Sequence, residues 1–418
     1  MKKIKNKIMS IFYATRDAFS LTISKIPIKL GELCIGYEII SSLNKKIHRP
    51  RTKSEYLIIF GLLINLVLAI IFSTINYDNI NHSFFLKFVA KNLSYFTFLL
   101  LIIITRKKVN NNLIENLCKL ILIVQIPFFV LEYVFHIQVV GFNFIEPIQK
   151  IMVGKIQIYR FIGTASEPAY IVPILAMPLY YFTINKKGNE IYLFLAVFYL
   201  IITFSPFALC ILILNYVFSL IRILQTSKRN FINRICSLTI IAFILIIFAL
   251  ITPFKTYLFS MINKMLGFLT GGNSGVMDWS ATDRSQHLQY SIELFKSSSF
   301  FKKIFGNGTG FYYFSSLHNS NLLVNDVEEA YNLYLSTLVD RGIIGLVNLL
   351  CIFVAILKIE SRDTISKAIK FGILTQFVHY LLVGNMWLYF LWTQVAILIA
   401  YNNYLKGNDD CEDLYTSK

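Results

Sequence analysis

Charge is scarce in this chain. Asp, Glu, Lys and Arg together make 15% of the 418 residues, with 23 acids against 40 bases. A soluble domain carries charge on about a quarter of its residues, so an ordinary soluble fold is excluded. Cysteine is scarce as well. Cys34, Cys118, Cys210, Cys236 and Cys351 fall in apolar segments, and Cys411 lies near the C-terminal end. No CxxC occurs, so neither a disulfide framework nor a cysteine metal site is indicated. HExxH and paired histidines are missing, so no protein-held zinc is expected, and no cofactor is expected. The first segment lacks a clean apolar core and an A-x-A site, so no cleavable leader is expected. No internal repeat stands out.

What is present in excess is apolar surface: 56% hydrophobic residues and a mean hydropathy of +0.60. The run from Tyr56 to Ile75 carries no charge and is long enough to cross ~30 Å of hydrocarbon. The net charge of +17 does not indicate nucleic acid. The basic residues cluster in short turns between apolar runs: KKIKNK at the start, Lys45 to Lys53, Arg106 to Lys108, Lys186/Lys187 and Lys228 to Arg234. Short cytoplasmic loops collect Lys and Arg in this way. With each run inside, about twelve crossings follow, near 8–24, 28–43, 56–75, 86–105, 113–136, 169–184, 191–204, 206–222, 235–253, 342–358, 369–384 and 386–404. The first two are interrupted by charge, and interfacial helices are the alternative. The expected fold is an all-α polytopic membrane protein. Residues 1–253 form N-terminal spans, 254–341 a large outer loop, 342–405 the last spans and 406–418 an inner tail.

Two loops then face outward. The smaller covers 137–167. In the larger, Phe254 to Leu269 reads as an interfacial helix, and Gly271 to Gly275 breaks the chain. Thr282 can cap a helix with Asp283 in its first turn. Leu288, Ile292 and Phe295 form its apolar stripe, leaving Arg284, His287 and Ser291 on a face toward a cavity. GNGTG (Gly306 to Gly310) reads as a flexible turn. No Lys-Ser/Thr follows it, so it is not a phosphate loop. A second helix is expected from Asn325 or Asp326 to Val339, with DRGIIGL (Asp340 to Leu346) re-entering the membrane.

Two segments resemble the O-antigen polymerase and ligase superfamily of bacterial envelopes. RFIGTASEPAY (Arg160 to Tyr170) is similar to its Arg-x-x-Gly-x-x-x-Glu-Pro element. Arg284, then GNGTG, then EEAYNLYLSTLVDRGIIGL (Glu328 to Leu346) is similar to its Arg, Gly-x-Gly, Asn-x-Tyr-Leu and Gly-Ile-Ile-Gly-Leu series. These motifs cover about a quarter of the chain, and the hydrophobic frame matches over the rest. One departure stands out: ligases and some polymerases carry His where Tyr331 precedes Asn332. Tyrosine is a poorer base at neutral pH, which leaves the base open.

The resemblance implies a metal-independent glycosyltransferase in the bacterial inner membrane with its site facing the periplasm. It would join undecaprenyl-diphosphate-linked oligosaccharides, among membrane lipids, with a chain-length regulator and a flippase as further partners. The leaving group is a diphosphate, and arginine meets phosphate with a bidentate fork that stays charged. Arg160 and Arg284 are the candidates for that work. The structural alternative pairs each with Glu167, Asp283 or lipid phosphate. His318 is a natural base by its pKa, with Glu167, Asp283, Glu328 and Glu329 as alternatives. His287, Asn319 and Tyr331 are substrate-binding candidates. A lone loop histidine is more often solvated, and Glu167-Pro168 equally reads as a helix start. Competing functions are the ligase and a flippase or transporter. Transporters gather polar residues at the midplane, whereas here the central spans are nearly charge-free, with charges such as Lys119, Glu132 and Arg222 near their ends.

Overall fold

The computed structural model describes residues 20–23, 26–42, 52–72, 82–104, 109, 111–147, 150–153, 156–185, 188–226, 279–320, 322, 324, 330–361, 363–384 and 389–416. The expected interfacial helix at 254–269, the span at 235–253 and the pair Glu328/Glu329 lie outside these residues.

Helices dominate, in chain order α1 (Leu30–Ser42), α2 (Lys53–Phe72), α3 (His82–Ile104), α4 (Asn111–Tyr133), α5 (Pro168–Ile184), α6 (Glu190–Ile202), α7 (Pro206–Thr226), α8 (Trp279–Ser297), α9 (Phe300–Phe305), α10 (Phe311–Leu317), α11 (Leu333–Lys358), α12 (Thr364–His379) and α13 (Tyr389–Thr416). Among the described residues, four segments are long and apolar enough to cross a membrane: Lys53–Ile71, Phe85–Ile103, Asn111–Tyr133 and Leu333–Lys358. Pro168–Ile184, Glu190–Ile202 and Pro206–Ile221 are shorter apolar helices. Large apolar side chains stand exposed along them, among them Phe60, Ile70, Phe194 and Ile213. Apolar surface on that scale needs a hydrocarbon neighbour.

The core forms around α5, whose residues from Ile171 to Phe182 are all buried. It packs along α12 and is flanked by α4, α6 and α7. A second group is α2, α3 and α11. There Gly61 lets two helices approach closely: a Cβ on it would lie 2.4 Å from Ile352 Cγ1. Asn348 Nδ2 donates to the Gly61 carbonyl at 2.9 Å. Small residues at such crossings are what membrane helix pairs use.

Several expectations need correction. The described residues are mostly helical, as an all-α membrane fold requires. Beside the helices, three short antiparallel hairpins occur among the described residues: Ser20–Ile23 with Ile26–Lys29 (β1, β2), Gln138–Val140 with Asn143–Ile145 (β3, β4), and Lys150–Val153 with Ile156–Tyr159 (β5, β6). Between β3 and β4, Gly141 and Phe142 have φ of 59° and 65°. Positive φ at both central positions is the turn that matches strand twist. The segment 8–24 therefore does not continue as a helix through residues 20–23. The 13 residues of α1 rise roughly 20 Å at 1.5 Å each, short of a full crossing.

The expected start of the second outer helix, Asn325 or Asp326, lies outside the described residues; α11 begins at Leu333 and runs 26 residues, with a kink at Gly342 that divides it close to the expected end at Val339. Asn332 caps it, its side chain accepting from Leu335 N at 3.0 Å. Its start is tied to the end of α12 by Leu333 N to Tyr380 O at 2.9 Å and Asn332 Nδ2 to Leu381 O at 3.2 Å.

GNGTG is not a flexible turn either. Helix α11 breaks its regular geometry at Gly342 (φ 64°, ψ −166°), and the glycine run docks against that break. Asn307 N donates to Val339 O at 3.1 Å and Gly308 N to Asp340 O at 3.0 Å. Asn307 Nδ2 adds a bond to Val339 O at 3.0 Å. A Cβ on Gly306 would meet Asp340 O at 2.2 Å, and one on Gly342 would meet Ile304 O at 2.3 Å. Backbone touches backbone, and no side chain fits between. Gly342→Ala or Gly306→Ala should therefore cost more than the ~1–3 kcal/mol of the positive φ alone. The check is thermal unfolding of the detergent-solubilised protein. Either variant melting with the wild type would show that the junction yields easily.

Candidate functional site

Beside that junction, α8, α10 and the approach to α11 enclose a polar cluster. Helix α8 starts at Trp279, so Thr282 lies inside it and is not its cap. Its polar face is the buried one. Asp283, Ser285, His287 and Ser291 are buried, whereas Ile292 of the expected inward stripe is exposed. The polar face meets protein because α10 lies across it: Tyr290 Oη donates to Ser315 O at 2.8 Å, and Tyr290, Leu294, Phe295 and Phe311 pack with Tyr312, Ala330 and Val339.

His287 sits at the centre with no exposed surface. Its Nε2 lies 2.8 Å from the carbonyl of Val324. A carbonyl only accepts, so Nε2 carries the proton and Nδ1 is the acceptor. Tyr312 Oη donates to that Nδ1. Both ring nitrogens are thus committed to protein, and His287 orients its neighbours rather than meeting a substrate. Burial lowers its pKa, outweighing the nearby Asp283 carboxylate. Burial also holds the Tyr312 hydroxyl protonated far above neutral pH.

Asp283 Oδ1 stands 3.5 Å from His287 Nε2 and has no hydrogen-bond partner among the described residues. Tyr331 hydrogen-bonds Asp283 and packs edge-on against His287, ring centroids 5.3 Å apart. The Arg284 guanidinium lies over the opposite partner of that stack, 5.3 Å from the Tyr331 ring centre. Burial first, and then Asp283, push the Tyr331 hydroxyl up to about 12. Arg284 opposes this shift and the Glu167 carboxylate adds to it. Glu167, at the end of the smaller expected outer loop, is thus within electrostatic reach of Tyr331. Arg284, Tyr331 and Glu167 are partly exposed, above a buried layer of Asp283, His287 and Tyr312.

The local settings of Glu167 and the remaining candidates differ. Glu167 is the N-cap residue of α5, extended at φ −143° and ψ 154°, with Pro168 next and no side-chain cap bond. Arg160 donates from Nε to Thr203 O at 3.2 Å and from Nη2 to Phe204 O at 3.4 Å. It thus caps the carbonyl end of α6, where a cation is favoured. His318 is exposed at the end of α10. Its Nδ1 bonds Phe314 O at 2.8 Å and its ring lies 4.7 Å from that of Phe314. Among the described residues it touches neither Arg284 nor Tyr331. Asn319 bonds the Tyr290 hydroxyl and belongs to the packing of α10 on α8. No group of three or more His, Cys, Asp or Glu suited to a metal ion occurs among the described residues.

Sequence reasoning missed two residues that hold the site's second wall. Glu132, 1% exposed, accepts from Ile162 N at 3.1 Å and Gly163 N at 2.8 Å. Gln125 accepts from Thr164 N at 3.1 Å and donates to Thr164 Oγ1 at 3.0 Å. Together they pin the segment leading to Glu167 onto α4. Their signal was present: two polar side chains one helical repeat apart in an apolar run.

Two tests follow. His287 is held neutral, so its folded pKa lies below the ordinary value near 6.5. Its contribution is full above about pH 6.5 and lost as pH falls through the lowered folded value. Thermal stability should drop from about pH 7 to 5, and His287→Gln should flatten that drop; parallel profiles would refute the assignment. Glu132→Gln turns an amide N–H toward a backbone donor and should cost about 1–3 kcal/mol. Limited proteolysis between 160 and 168 should speed up. Unchanged cleavage would show that other contacts hold the segment.

The sequence matches no family model and no curated protein.

Proposed function

We propose that this chain is a membrane glycosyltransferase that lengthens a glycan carried on a lipid diphosphate, as the O-antigen polymerases it resembles do. The observation that carries the reading is the seating of Arg284 on the Tyr331 ring with Glu167 in electrostatic reach. The three come from separate pieces of the resemblance, beside a bundle with four membrane-length apolar helices among the described residues.

In this reading the C1–O bond to the donor diphosphate breaks as an acceptor sugar hydroxyl bonds to C1. The diphosphate leaves as an anion, and the hydroxyl proton passes to a base. Arg284 faces the leaving phosphates, fixed by the Tyr331 ring beneath it. Tyr331 stays protonated at neutral pH, so it donates and cannot be the base. In this reading Glu167, partly exposed, takes the proton, while Asp283 lies buried in the layer beneath Tyr331. His318, exposed at the far end of α10, is the less suited candidate.

The test is polymer formation from lipid-linked repeats by the purified protein in detergent. Arg284→Ala should lower the rate by about 10²-fold or more while thermal stability stays near wild type. Arg284→Lys should recover only part, because it keeps charge and loses the fork. A normal product ladder from Arg284→Ala would refute the role. Wild-type protein that makes no polymer but attaches glycan to a lipid core acceptor would indicate the ligase instead.

A further inference from the structure

Outside this cluster, α11 carries a cation into the bundle. Arg341 ends the first part of α11, immediately before the break at Gly342 and eight positions beyond Leu333. A charge packed among apolar, membrane-length helices is expensive and generally functional. Its partners are neutral: Nη1 donates to Asn65 Oδ1 at 3.0 Å, Nη2 to Asn92 Oδ1 at 3.0 Å, and the guanidinium lies 4.7 Å from the Tyr95 ring centre. Among the described residues Arg341 makes no ion pair. A guanidinium has about five N–H donors, and these two bonds leave the others unspent. Asn65, 1% exposed, grips Arg341 with its oxygen, and its Nδ2 has no partner among the described residues.

Arg341 also lines a cleft of about 60 Å³ between α3, α11 and the glycine run, together with Lys91, Asn92, Thr309, Ser336 and Asp340. That is several times the ~10–15 Å³ a single water needs. Among the described lining residues, the cations Lys91 and Arg341 outnumber the one acid, Asp340. The neutral groups between them are bonded to protein, Asn92 Nδ2 to Thr309 Oγ1 at 3.3 Å and Ser336 Oγ to Ala330 O at 3.2 Å, so the cations are what would hold a ligand. The flanking faces of the same helices are apolar and exposed, with Leu93 and Phe96 on α3 and Ile343 and Val347 on α11. Cations bordered by exposed apolar surface match the phosphate of a lipid and not a freely diffusing ion.

The geometry points to the Arg341–Lys91 cleft as a binding site for the phosphate head group of a membrane lipid, separate from the Arg284–Tyr331 cluster. The occupant is either the phosphate end of a polyprenyl carrier or that of an anionic phospholipid. The glycine-run junction joins this cleft to the polar cluster, since Tyr312 N donates to Asp340 Oδ1 at 3.4 Å. A head group held here would sit one short helix away from Arg284.

The test is binding without turnover, so it stands whether or not the protein makes polymer. Full-length protein is titrated with undecaprenyl phosphate in detergent, with vesicles of phosphatidylglycerol or phosphatidylcholine, and with inorganic phosphate alone. Binding is read by native mass spectrometry and thermal shift. Wild type should bind one or both phosphate-exposing anionic lipids at least 10-fold more tightly than phosphatidylcholine and inorganic phosphate. Preference between the two anionic probes then assigns the source. Arg341→Gln and Lys91→Gln should each lose about 10-fold, while Lys302→Gln, on exposed α9, should not. Lys91→Gln keeps the test open if Arg341→Gln fails to fold. Equal binding by Lys91→Gln and wild type, no preference over phosphatidylcholine, or equal binding of inorganic phosphate would each overturn the proposal.

Discussion

The break in α11 at Gly342 is the constraint on which the described architecture turns. A helix that loses regular geometry inside an apolar environment leaves backbone carbonyls that must find donors. Here Val339 and Asp340 receive them from Asn307 and Gly308. The glycines are required on both sides because the two backbones approach within the radius of a missing Cβ. That junction fixes α9 and α10 against a membrane-length helix. Through α10 it also fixes the polar face of α8.

Buried polarity then becomes an organising device. Burying a hydroxyl or imidazole without a partner costs free energy, so each such group demands a mate. His287 satisfies the demand by taking Tyr312 on one nitrogen and Val324 on the other. The result is a rigid floor on which Tyr331 and Arg284 rest. A guanidinium over an aromatic face gains electrostatic attraction without spending its N–H donors. Arg284 is therefore held in place and still able to hydrogen-bond. The second wall is built by the same logic on a different helix, where Glu132 takes two backbone donors just before Glu167.

Much of this frame is legible in the sequence because hydrocarbon is a demanding solvent. The apolar runs at 56–75, 86–105 and 113–136 fall on α2, α3 and α4, and Glu167-Pro168 does open α5. What sequence hides is pairing between distant backbones. GNGTG alone reads as a loose turn, since glycine costs entropy unless a neighbour needs its missing side chain; the neighbour, Gly342, is over thirty residues on. The β3–β4 hairpin was hidden because its turn uses Phe142 at positive φ, a position that favours Gly or Asn. Helix α8 misleads for another reason. Its apolar stripe suggests one buried face, yet α10 supplies polar partners that make burial of the opposite face possible.

Three arginines show why residue type alone does not locate a site. Arg160 spends donors on the carbonyl end of α6, where the helix dipole and two acceptors make a capping role sufficient to explain it. Arg284 makes a ring contact that leaves its fork open at a partly exposed position. Arg341 binds two amide oxygens beside the break in α11 and makes no ion pair among the described residues. The charge is the same in each, and so is the preference for phosphate. What differs is how many N–H donors the fold has already consumed and what dielectric surrounds the rest. A guanidinium whose donors are met by backbone oxygen has little left to offer a ligand. One with open donors in a low-dielectric cleft gains more from each anionic oxygen than it would in water. The arginines to which ligand binding is best attributed are those whose hydrogen bonding the protein leaves incomplete.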